Sequence, residues 1–150
     1  MIELCKYQKE RVIRNYSIEA IEIPIVYNKY GDHDPNGLLY VLKKDSARVR
    51  REALENFHKE IPQPCELVQP LVLRANVGDE IIVQFQHSLN RHLSIHVQGL
   101  EYDVNTSDGS AVGWNDDSTT NNQITYRWFA QKEGVYLFSD MGDTRSGEEG

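Results

Sequence analysis

Ala75-Asn-Val-Gly-Asp-Glu80 leads into Ile81-Ile-Val-Gln-Phe-Gln86 and, after a short polar loop, into Leu93-Ser-Ile-His-Val-Gln-Gly99. The stretch reads as a Gly-Asp turn, a strand with clean alternation, a loop, and a second strand carrying one histidine. Outward from it, residues 71–74, 80–87, 93–98, 123–129 and 135–138 are predicted strands with turn chemistry between them. Short strands at this spacing, with no internal repeat, indicate a sandwich or barrel of Greek-key type.

The first half adds three elements. Residues 14–27 alternate in two registers, with Tyr16, Ile18 and Ala20 in one and Ile21, Ile23 and Ile25 in the other. A change of phase flips faces, so a bulge or bend is expected near Ala20 and Ile21. Pro24 lacks a ladder donor and suggests an edge position. Residues 28–37 hold Gly, Pro and Asn and are expected to form a loop, followed by a short strand over 38–42. Residues 46–59 are the one helical segment: Val49, Ala53 and Phe57 recur at helical spacing, Leu54 lies on the same side, and Asp45 or Ser46 supplies the N-cap. A single helix among strands reads as an insertion packed on a sheet.

Composition narrows the function classes. A chain of 150 residues is one ordinary domain. Its net charge of -7 argues against nucleic acid as a partner, since phosphate binding needs a basic stripe. Lys43, Lys44, Arg48, Arg50 and Arg51 form the one basic cluster, read as a solvated helix face. No apolar run approaches the roughly 20 residues of a membrane span. The segment from Met1 to Arg14 is polar, so no signal peptide is read from the chain as written. Cys5 and Cys65 make no disulfide framework and are read as free thiols, with a single bridge left open.

Several pieces in order resemble a cupredoxin domain of multicopper oxidases of the ceruloplasmin type. They are Pro70-Leu71 with Val77-Gly-Asp79, Ser94-Ile-His-Val-Gln-Gly99, Asp116-Asp117 ahead of Thr125-Tyr-Arg-Trp128, and Gly134-Val-Tyr-Leu-Phe-Ser-Asp140. Tyr16-Ser-Ile-Glu-Ala-Ile-Glu22 is similar to the family's first strand. The resemblance implies an all-β, cupredoxin-like Greek-key β-sandwich or barrel with one inserted helix at about 46–59. It implies a single domain over 1–150 lacking the family's final strand, hence a module of a longer oxidase. Neighbouring cupredoxin domains are then the expected partners, with self-association as another outcome. Bacterial manganese-oxidising oxidases look like a close subgroup, which implies manganese oxidation by the parent and a spore-layer or otherwise extracytoplasmic location.

Copper ligands are the chemical test of that resemblance. A blue-copper site needs two histidines, a cysteine thiolate and usually an axial Met. Met141 stands near the C-terminal end with no cysteine beside it. The family's trinuclear cluster takes His-x-His pairs, which map here onto His96 with Gln98 and Phe138 with Asp140. One imidazole of four remains, and His96 is read first as a half-buried strand histidine with a hydrogen-bond partner, the alternative being a relic copper position completed by another domain. Copper is therefore expected in the parent oxidase and not tightly bound by this chain.

His87 and His92 lie across a turn, a spacing that would let two histidines share a metal, but they are expected to be solvated loop histidines. His33 and His58 lack ligand spacing.

Asp103, Asp108, Asp116 and Asp117 cluster in the polar segment 103–122. Hard cations want six to eight oxygens, and the paired acid Asp116-Asp117 resembles a calcium position of ceruloplasmin-like domains. The alternative to an oxidase module is thus a stand-alone calcium- or divalent-metal-binding β-sandwich with no redox role. No phosphate-binding glycine loop, nucleophile elbow or His-Glu-x-x-His is present.

Overall fold

The computed structural model describes residues 11–110 and 121–142. Strand β1 (Ile13–Val26) is paired antiparallel with β2 (His33–Leu42) and parallel with β3 (Glu80–His87). On the other side of β3 lies β5 (Gln123–Phe129), antiparallel, giving the order β2-β1-β3-β5. A second, two-stranded sheet joins β4 (His96–Val97) to β6 (Phe138–Ser139). A 3-10 turn at Lys43–Asp45 leads into helix α1 (Ser46–Phe57), and a short helix α2 (Val104–Ser107) precedes β5.

The double register of β1 is the key to the packing. Ile18 and Ala20 enter the main core with Val83, Phe85, Ile95, Tyr126 and Trp128. Ile21 and Ile23 enter a second core with Val41 and with Val49 and Ala53 of α1. Both faces are covered, so no bulge is needed where one was expected. The ladder to β2 is continuous from Ile18↔Leu42 to Ile23↔Gly37, and its register shifts only between Ile23 and Ile25. That shift falls at Pro24, which has no N–H to donate. Pairing with β3 ends at Ala20↔His87, so Pro24 sits where β1 has a neighbour on one side only, the edge setting that proline tolerates.

Other boundaries moved. The expected loop over 28–37 is shorter, because β2 starts at His33. A tight turn does the work: Tyr27 N–H donates to Asp32 O at 2.8 Å, and Asn28 Oδ1 accepts Tyr30 N–H at 2.9 Å. Helix α1 ends two residues before Lys59. Asp45 holds the N-cap position without a side-chain cap bond, while Ser46 Oγ donates back to Lys43 O at 3.1 Å. The strand expected at 71–74 joins no ladder. Leu71 and Leu73 still turn into the core, and Tyr16 OH bonds both main-chain groups of Arg74, donating to the carbonyl at 2.5 Å and accepting the N–H at 3.3 Å. The strand expected at 93–98 shrinks to His96–Val97, and the one expected at 135–138 is displaced to Phe138–Ser139, sharing only Phe138 with it.

Truncating Ile21, which is 0% exposed beneath α1, is expected to cost about 2–5 kcal/mol. Leu54→Ala on the outer side of the helix should stay within about 0.5 kcal/mol. Urea denaturation of the two variants checks this; equal small effects would mean that the helix does not seal the second face of β1.

Candidate functional site

The ladder of the small sheet places the histidine. His96 is opposite Ser139 and Val97 is opposite Phe138. Opposite residues in an antiparallel pair share a face, and successive residues alternate. His96 therefore faces the same side as Ser139, and Phe138 faces the other. Phe138 packs inward with Val97, its ring 6.0 Å from Tyr40 and 6.2 Å from Trp128. Of the pair Phe138 and Asp140, onto which the resemblance maps a second set of ligands, Phe138 thus lies on the opposite face from His96.

Asp140 instead serves as a latch. Its Oδ1 accepts Ser94 N–H at 2.7 Å, Ser94 Oγ–H at 3.3 Å and Gly142 N–H at 2.9 Å. Ser94 Oγ in turn accepts Met141 N–H at 3.0 Å. Tyr40 OH donates to Ser94 O at 2.6 Å. Burial, with the Asp140 charge second, pushes the Tyr40 phenol well above its usual range.

Around His96 the chain builds a polar nest from the segment after β4. His96 Nδ1 lies 2.7 Å from Asp108 O. A carbonyl only accepts, so Nδ1 carries the proton, and in the neutral ring the lone pair is on Nε2. This is the tautomer in which second-shell bonding prepares a histidine to ligate metal. Asp108 is held in its turn. Its Oδ1 accepts Tyr102 OH at 2.7 Å, and its Oδ2 accepts the hydroxyl and the N–H of Ser110. The Tyr102 ring stands edge-on to His96, with centroids 6.1 Å apart. Burial first, then the hydrogen bond and charge of Asp108, raise the Tyr102 phenol to about 12.

Three further contacts tie this segment down. Asp103 Oδ1 caps α2 by accepting Asn105 N–H at 2.9 Å. Ser107 Oγ accepts Arg127 N–H at 3.1 Å, fastening the segment to β5. Gly109 adopts φ 69°, and a Cβ there would lie 2.3 Å from Ile95 O.

Tyr102 was not read from the sequence, and Asp108 was read only as one acid of a loop. The available signal was the Asp108-Gly109 step, since Asp-Gly favours a tight turn whose side chain bonds nearby backbone. Asp116 and Asp117, the expected calcium pair, lie outside the described residues, as does Cys5. Cys65 has no disulfide partner among the described residues. His87 is not a solvated loop histidine: it is 2% exposed and its Nδ1 accepts Leu89 N–H at 3.2 Å. His33 and His58 flank the Phe57 ring at 4.9 and 5.6 Å.

The donors among the described residues do not make up a complete copper site. Among the described residues, no three His, Cys, Asp or Glu side chains converge on a point where an ion could sit. His96 offers one nitrogen, and its neighbour Asp108 is engaged by Tyr102 and Ser110.

A second feature is an apolar cavity of about 1260 Å³ between residues 70–77 and 132–140. Leu71, Leu73, Leu93, Leu100, Trp128 and Tyr136 line it. Trp128 Nε1 is buried with no acceptor among the described residues. On the neighbouring surface Val72 is 70% exposed, Val135 95% and Leu137 68%.

A family profile for multicopper oxidases matches residues 66–149, more than half of the chain and all of β3 to β6. The chain belongs to the multicopper oxidase family. Solved structures agree in fold. A multi-copper oxidase from Pseudomonas thermotolerans superposes with a TM-score of 0.57 at 17% identity, over 87% of this chain and 25% of that one. Another multicopper oxidase gives 0.61 at 19%, over 93% and 39%. A metallo-oxidase from Campylobacter jejuni gives 0.56 at 17%, over 95% and 24%. The chain thus spans between about a quarter and two fifths of these oxidases. No curated protein matches it. Its fold is all-β and cupredoxin-like, with α1 as the longest helix among the described residues.

Two predictions follow from this geometry. The unfolded Tyr102 phenol loses its proton near 10 and the folded one near 12. The folded state therefore holds more protons in that window, and stability falls as pH rises through it. Tyr102→Phe is expected to flatten that slope and to remove one late-titrating phenol from the ultraviolet difference spectrum. Gly109→Ala is expected to cost more than about 1 kcal/mol, the ordinary limit of a Gly→Ala change at a relaxed site. Thermal melts measure it, and an unchanged midpoint would mean the Asp108 turn has room to relax.

Proposed function

We propose that this chain is a module of a multicopper oxidase which carries no complete copper site itself and acts by packing against neighbouring cupredoxin domains. The observation that carries the reading is His96. It is held in a ligand-competent tautomer by Asp108 O, yet among the described residues no group of three His, Cys, Asp or Glu side chains gathers around it. A relic ligand position, completed only by a neighbouring domain if at all, accounts for both halves of that observation. The apolar cavity and the exposed Val72, Val135 and Leu137 support docking, because uncovered apolar patches on a small domain mark interfaces.

The parent reaction in this reading is one-electron oxidation of a substrate or metal ion, manganese included, with reduction of dioxygen to water. The chemistry would reside in the copper-bearing domains, and a spore-layer or extracytoplasmic location belongs to the same proposal. The competing reading is a calcium-binding β-sandwich using Asp116 and Asp117.

Metal content separates the two. The purified chain is incubated separately with copper, calcium and manganese, desalted, and measured by mass spectrometry. Well under about 0.1 equivalent of copper is expected, since one imidazole holds copper weakly. Copper near one equivalent would overturn the proposal. Calcium at one equivalent, lost in Asp116→Asn with Asp117→Asn, would favour the second reading.

Docking has its own test. The isolated chain is expected to self-associate in analytical ultracentrifugation, and Val135→Lys with Leu137→Lys to reduce that without lowering the melting temperature. A monodisperse, thermally stable parent chain would argue against an open docking face.

A further inference from the structure

We draw no further inference here: the strongest candidate, the apolar cavity between residues 70–77 and 132–140 with the buried Trp128 Nε1 beside it, belongs to the docking face already described, and nothing in the structure shows what covers it.

Discussion

Burial of β1 on both faces is the constraint on which the rest of the structure depends. The strand is hydrogen-bonded to β2 on one side and β3 on the other, so it forms the spine of the larger sheet. Ile18 and Ala20 close the main core, while Ile21 and Ile23 need a cover of their own. Helix α1 supplies that cover with Val49 and Ala53, and Arg50 Nη2 reaches the carboxylate of Glu19 at 3.1 Å. Such a partly exposed ion pair adds little energy. The apolar seal is what holds the helix, because burial of a side chain such as isoleucine is worth about 1.5–3 kcal/mol. The inserted helix therefore serves as the second wall of a central strand.

The small sheet depends on the large one. Two-residue strands have almost no ladder of their own, and an isolated pair is marginal in water. β4 and β6 persist because Leu93, Ile95 and Val97 are anchored in the main core. The Asp140 carboxylate then gathers the main chain of Ser94 and Gly142 beside them. His96 inherits its position from that anchoring. Its ring is fixed by Asp108, whose own place follows from a glycine turn too tight for any other residue and from the bond of Ser107 to β5. The polar nest is thus held at several points, and among the described residues its side chains bond one another and do not gather as a group of three ligands.

Much of this was legible in the residues. Strands β3 and β5 matched expectation to the residue, because their alternation is uninterrupted and both pair along their length. Helix α1 started where the periodicity began. Elements failed where hydrogen-bond partners decide. Residues 71–74 alternate like a strand, yet they join no ladder among the described residues, and the main chain of Arg74 bonds the Tyr16 hydroxyl instead. His33 to Gly37 carries turn residues, yet the neighbouring β1 draws it into a ladder. The two registers of β1 read as a bulge because alternation alone cannot tell a flipped face from a second buried one.

By itself, the sequence determined the fold class, the family resemblance and the scarcity of copper donors, because alternation, turn residues and ligand types are local and countable. Only the tertiary structure decided which side chains meet. Strand register set His96 against Ser139 and turned Phe138 into the core, and a one-residue difference of that kind leaves no mark on composition or spacing. The link from His96 to Asp108 and Tyr102 was likewise invisible, since it spans separate turns whose approach depends on the packed sheet beneath them. The cavity beside Trp128 has the same origin: an unfilled space is a property of how elements assemble.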